Sequence, residues 1–127
     1  MELTLHIGKE KTGTKTLQYF MHENSEEILN QGIYYPEFPW GAGYSHNAIA
    51  GYITQADESC AFYKNNGFLS PAAIAGFKLD FKSFFEKKLA KQRSVKKWVI
   101  SAEHLSYLPE HAVRALHSFL STYFSKI

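Results

Sequence analysis

Nine consecutive residues, Gly8-Lys9-Glu10-Lys11-Thr12-Gly13-Thr14-Lys15-Thr16, gather two glycines, three lysines and three threonines between an apolar run and an amphipathic stretch. Each residue type there has a use toward an oxyanion. Glycines let backbone N–H groups approach closely, and a helix that starts at Thr14 offers unpaired N–H donors and a partial positive field. Threonine hydroxyls and lysine ammoniums add further donors. The segment is therefore expected to hold a phosphate or sulfate group. Other reactive residues are sparse. The single cysteine, Cys60, excludes an intrachain disulfide and a multi-cysteine zinc site, and it is expected to be a buried thiol. His6, His22, His111 and His117 show no ligand spacing with carboxylates, so no metal is expected.

The elements that must position this loop follow from periodicity. Leu3, Leu5 and Ile7 alternate with Thr4 and His6, which predicts a strand running into Gly8. From Thr14, the residues Leu17, Phe20, Met21, Ile28 and Leu29 recur at near-helical spacing, with Gly32 placed to end one continuous helix. Ile33-Tyr34-Tyr35 before Pro36 reads as a second short strand. Glu37 to Gly43 is loop, His46 opens a short helix carrying Ala48, Ile49, Tyr52 and Ile53, and Asn65-Asn66-Gly67 marks a turn. Ser70-Pro71 caps a long helix. Its inner face is Ile74, Phe77, Phe81, Phe84, Phe85 and Leu89, and its lysines, among them Lys78, Lys82, Lys87, Lys88 and Lys91, form a solvated face. Trp98 to Ala102 is a buried strand ending near Glu103. Pro109 opens a last helix with Val113, Leu116, Leu120, Tyr123 and Phe124 inward.

Strands alternating with helices predict an α/β fold, a three-layer parallel sheet with helices on both faces, as one domain over residues 1–127. Such sheets bind ligands outside the carboxyl ends of their strands, where Lys11 and Glu103 both fall. The alternation stops at Ile127, just after a helix, so the domain is expected to be incomplete at its C-terminus and to leave an open sheet edge at Trp98-Val99-Ile100 or a neighbouring strand. Homo-oligomers can form through such an edge. With 45% hydrophobic and 16% aromatic residues the chain is expected to fold, and a formal charge of +2 gives no support to a nucleic-acid partner. The sequence has neither a leader pattern nor a membrane-spanning apolar run, and a cytoplasmic location is expected.

Lys11-Thr12-Gly13-Thr14-Lys15-Thr16, after a strand ending His6-Ile7-Gly8, resembles the 5′-phosphosulfate loop of sulfotransferases that use 3′-phosphoadenylyl sulfate, closest to bacterial-type carbohydrate or lipid sulfotransferases. The likeness extends to Gly32-Ile33-Tyr34-Tyr35-Pro36, to the His-x-x-Ala-like stretch at His46, and to Ser101-Ala102-Glu103. It implies a P-loop-like sulfotransferase fold whose donor substrate is 3′-phosphoadenylyl sulfate, with no metal. Lys11, Thr12, Gly13, Thr14, Lys15 and Thr16 would bind the donor, and Lys11 would act on the transferring group. The family has a second hydroxyl residue where this chain has Lys15, so that contact passes to Thr16 or to the Lys15 ammonium. The family's ligands for the 3′-phosphate are expected beyond Ile127.

In-line transfer of a sulfuryl group to a hydroxyl or amine needs a base. His46 ranks first, in the context the bacterial group shares. Glu103 is second, at the end of an apolar strand, and His104 is third, because His104-Leu105 resembles the His-Leu pair of the small-molecule sulfotransferases. Glu37 is fourth. The acceptor pocket is expected in the loops Glu37 to Gly43 and Gln55 to Leu69, where Phe38, Trp40, Tyr44, Phe62 and Tyr63 can stack on a sugar ring or pack. Two alternatives stand beside this reading. One is a P-loop kinase or NTPase, although the Walker A pattern needs Lys directly after the second Gly and Thr14 intervenes here. The other is a truncated, non-catalytic sulfotransferase fragment.

Overall fold

The computed structural model describes residues 1–9, 11, 13–55 and 57–127. Alternation makes β1 (Glu2–His6), in which Leu3 is buried and Thr4 exposed. It lies parallel to β3 (Lys97–Ser101), in register from Glu2 opposite Lys97 to His6 opposite Ser101. β2 (Ile33–Tyr34) pairs in parallel with the other side of β3, so the strand order is β1-β3-β2. The Trp98-Val99-Ile100 run is thus the central strand of the sheet and not an edge. Its flanks explain its composition, since Trp98 and Ile100 are fully buried. The edges are β1 and β2. Ser125 and Lys126 lie along the start of β1, where Leu3 N–H donates to Lys126 O (2.8 Å) and Ser125 N–H donates to Met1 O (3.1 Å).

The expected single helix after the loop is two, α1 (Thr14–Glu23) and α2 (Ser25–Asn30). Asn24 separates them with φ −104° and ψ 19°, and its side-chain amide donates to Phe20 O (2.7 Å). Gly32 follows with φ +81°, the left-handed conformation that suits glycine best. The inner face of α1 also differs from the periodicity. Its buried residues are Thr14 and Gln18, while Leu17 and Phe20 are 40% and 56% exposed.

α5 (Pro71–Lys91) follows its pattern closely. Ser70 Oγ accepts from Ala73 N–H (3.1 Å) and Pro71 occupies the first turn, which together start the helix. Ile74, Phe77, Phe81, Phe85 and Leu89 are buried and Phe84 is half-buried. Successive rings Phe77, Phe81 and Phe85 lie 5.7–6.0 Å apart and lead to Trp98, 5.7 Å from Phe85. Each such ring contributes about 1.5–3 kcal/mol by leaving water. Lys82, Lys87 and Lys91 are exposed as expected, but Lys78 is half-buried and donates to Thr54 O, and half-buried Lys88 lies 5.3 Å from the centre of the Phe84 ring.

Two short helices complete the inner layer, α3 (Ala48–Ile53) and α4 (Ala61–Asn65). They are tied by Tyr63, whose hydroxyl lies 2.6 Å from Gly51 O and 2.8 Å from Thr54 O. Gly51 is required there, because a Cβ would stand 2.3 Å from the Phe62 ring. Cys60, just before α4, is half-buried and not fully enclosed. A 3-10 turn (Glu103–Tyr107) leaves β3 and leads into α6 (Glu110–Ser121). Ala112, Leu116 and Leu120 face inward on α6, whereas Val113, expected inward, is 48% exposed. Among the described residues, no helix is long and apolar enough to cross a membrane.

Candidate functional site

The loop after β1 is shaped by two left-handed residues, Lys11 (φ +60°) and Gly13 (φ +81°). For a lysine this conformation costs roughly 1–2 kcal/mol, so the surrounding loop must hold it. A Cβ on Gly13 would meet nothing within 4 Å, so the constraint at Gly13 is backbone conformation and not space. Gly8 is constrained differently, since a Cβ there would stand 2.1 Å from Thr14 Oγ1. Thr14 packs into that gap and its hydroxyl donates to Lys9 O (3.3 Å), so the threonine expected as an anion ligand closes the loop onto its own start. Thr12 lies outside the described residues.

α1 begins at Gly13 with no side-chain cap and no acidic residue in its first turn, in contrast to α5 with its Ser70. Among the described residues, no side chain caps this helix start. The turn borders a cavity of about 350 Å³ lined by Lys11, Gly13, Thr14, Lys15 and Glu103. Thr16 is exposed on the same turn and, unlike Lys15, does not line this cavity.

A second cavity of about 340 Å³ adjoins the first. Lys15 and Glu103 line both, and the second is completed by Gln18, Trp40, Tyr44, Ser45, Asn47 and their neighbours, including His104. Among the described residues, a cation, Lys15, and a carboxylate, Glu103, are shared by the two spaces. Glu103 is half-buried and reaches this position because β3 ends beside β1, putting the two strand ends and the turns that follow them side by side.

The geometry of that junction is held from beneath by Ser101. Gln18 Nε2 donates to Ser101 Oγ (3.1 Å) and lies 3.3 Å from Ser101 O, and His6 Nδ1 lies 2.8 Å from Ser101 Oγ. These contacts tie β1, α1 and β3 together directly below the loop. Gln18 is buried although the apolar periodicity of α1 runs through Leu17, Phe20 and Met21, and its partner lies 83 residues away.

His46 has a different place from the one expected. It is fully buried, its Nε2–H donates to Pro36 O (2.6 Å), and its Nδ1 accepts from Ser101 N–H (2.8 Å). A carbonyl only accepts and an amide N–H only donates, so the two partners select the neutral tautomer with its proton on Nε2. Burial lowers its pKa to about 4, against the opposing effect of the hydrogen bonds to Pro36 and Ser101. With both nitrogens engaged and no exposed surface, His46 joins the Pro36 loop to β3 and is not placed to act as a base.

The remaining candidates separate clearly. His104 is half-buried, its N–H donates to Asn47 Oδ1 (3.0 Å), and it lines the 340 Å³ cavity together with Glu103. Glu37 is exposed beside Tyr34, Tyr35 and Lys88 in a separate hollow that includes none of the described loop residues. Of the expected aromatics, Trp40, Tyr44 and Phe62 line the second cavity. Phe38 is buried against His46 and Phe81, and Tyr63 is buried between α3 and α4. Sequence reasoning missed Ser45, Asn47, Asn65 and Asn66 as wall residues. Asn65 and Asn66 lie within the Gln55 to Leu69 segment expected to form the pocket, whereas Ser45 and Asn47 flank His46 with no such signal.

Among the described residues, no three His, Cys, Asp or Glu side chains are grouped to hold a metal ion. Comparison with protein-family models, curated proteins and solved structures found no match to this chain.

Proposed function

We propose that this chain is a sulfotransferase domain that takes 3′-phosphoadenylyl sulfate at the Lys11–Thr16 loop and delivers its sulfuryl group to a hydroxyl or amine of an acceptor. One observation carries the reading. The start of α1, bordered by Lys11 and Lys15, lines a cavity together with Glu103, and the same Lys15 and Glu103 line a second cavity of similar size. Two adjoining spaces with a cation and a carboxylate at their junction suit a transfer between two molecules. The loop follows β1 beside the central strand, at the carboxyl end of a parallel sheet, in keeping with a P-loop-like three-layer sulfotransferase fold.

The residues divide the chemistry as follows. Amide N–H groups of the first α1 turn and the Lys15 ammonium hold the oxygens of the 5′-phosphosulfate. Glu103 accepts the proton of the attacking hydroxyl as the new bond forms between that oxygen and sulfur. The bond from sulfur to the bridging phosphate oxygen breaks, and its electron pair leaves with adenosine 3′,5′-bisphosphate. Lys11 stabilises the charge that develops on the leaving oxygen, the kind of preorganised electrostatic contact that dominates such transfers. Of the candidate bases, Glu103 alone lines both cavities, which is why it replaces His46 here.

Calorimetric titration with adenosine 3′,5′-bisphosphate, and separately with ATP plus magnesium, tests the reading on the wild type and on Lys11→Ala. Saturable bisphosphate binding that weakens about tenfold or more in the variant supports it, in line with the loss of a charge-assisted contact. A preference for magnesium-ATP favours a kinase or NTPase instead. Binding of neither overturns the donor site.

A further inference from the structure

We propose that the 340 Å³ cavity beside Glu103 seats one neutral sugar ring, with Ser45 and Asn47 reading its hydroxyls. The identification of this sugar as the acceptor rests on the sulfotransferase reading above, but its binding does not.

Size is the first constraint. The volume stands at the low end of the range for small-molecule sites and suits a single ring. Lining chemistry is the second. Trp40 and Tyr44 supply aromatic surface of the kind that covers the C–H face of a sugar, and Trp40 is held in place by the edges of Phe77 and Phe84.

The polar groups between those rings are both donors and acceptors. Asn47 spends its Oδ1 on the His104 N–H, so its amide N–H pair is the part left to give to a ligand. Asn66 is the converse, because its Nδ2 donates to Phe62 O (2.9 Å) and its Oδ1 is left to accept. Ser45 Oγ is buried in the same wall and, among the described residues, has no hydrogen-bond partner. A buried hydroxyl of this kind calls for a ligand group that can both give and take a proton. Sugar hydroxyls do so on several sides of one ring. A planar phenol has one such group, and an acyl chain would leave the whole set unpaired. Among the described residues, the charges that border the cavity, Lys15 and Glu103, are of opposite sign and stand at the end shared with the loop. They give no field that selects a charged acceptor.

The test uses amide chemical shifts of the whole chain with methyl β-D-glucopyranoside and methyl β-D-galactopyranoside as probes, and 4-nitrophenol and decanoate as the competing chemistries. At least one glycoside is expected to shift the amides of Ser45, Asn47 and Asn66 saturably. Asn47→Asp keeps the acceptor for His104 N–H while removing the two donors, so it preserves the local fold. It should weaken glycoside binding about tenfold or more, as loss of a reading donor does, while adenosine 3′,5′-bisphosphate still binds saturably. Shifts produced by nitrophenol or decanoate but by neither glycoside, or by none of the four, overturn the sugar assignment while leaving the donor site standing. Glycoside binding without any bisphosphate binding overturns the sulfotransferase reading and leaves the sugar site intact.

Discussion

Replacing His46 by Gln separates a structural histidine from a catalytic one, because the structure specifies how its charge state is linked to folding. In the unfolded chain the imidazole titrates near its ordinary value of 6.5, and in the fold burial lowers this to about 4. The native state therefore binds the proton less well than the unfolded state. Stability from this group is fully present above pH 6.5 and is lost as pH falls through 6.5 toward 4. With these two values, linkage gives a loss of about 2 kcal/mol at pH 5 and about 3 kcal/mol at pH 4. Glutamine retains one donor and one acceptor for Pro36 O and Ser101 N–H but carries no titrating group. Urea denaturation at pH 7.5 and pH 5 reads the difference. The wild type should lose about 2 kcal/mol more than His46→Gln between the two, a midpoint shift of roughly 1–2 M urea at the slopes usual for this size. Equal losses in the two proteins would refute the assignment of His46 as a neutral, buried tie.

Three further outcomes are expected. Lys11→Gly should raise stability by up to about 1 kcal/mol in urea denaturation, because glycine tolerates the left-handed backbone, while calorimetry shows bisphosphate binding lost. Gly8→Ala should cost about 1–3 kcal/mol through the collision with Thr14 Oγ1. Added to Thr14→Ala, which removes that oxygen, it should cost clearly less than it does alone, and a double-mutant cycle measures the coupling. Glu103→Gln should lower the rate of sulfuryl transfer to the acceptor by about 10²–10⁴-fold, as removal of a general base does, with bisphosphate affinity within about twofold of wild type.

What could be read from the sequence was what depends on neighbours in the chain. Leu3 and Leu5 alternate with polar residues in β1, and Phe77, Phe81 and Phe85 recur on one face of α5 after a Ser-Pro start, so both elements are legible from spacing alone. The glycine–lysine loop was legible for the same reason, since its residue types and its place between strand and helix are local. The inner face of α1 was not. Thr14 and Gln18 are buried there because Gly8 leaves room for one and Ser101 hydrogen-bonds the other, and neither relation leaves a period in the sequence. His46 was misread for a related reason. Its partners are the backbone of Pro36 and Ser101, and backbone groups carry no residue signature. Glu103 was legible in part, since the end of an apolar parallel strand put it near the loop, whereas its meeting with Lys15 comes from the register of β1 and β3 across most of the chain length.

Assigned amide spectra of the chain titrated with adenosine 3′,5′-bisphosphate test the central claim most directly. Saturable shifts centred on Lys11, Gly13, Lys15 and Thr16, needing about tenfold or more ligand in Lys11→Ala, are the expected result. Shifts confined to other parts of the fold, or none at all, would contradict the placement of a phosphosulfate site at the start of α1.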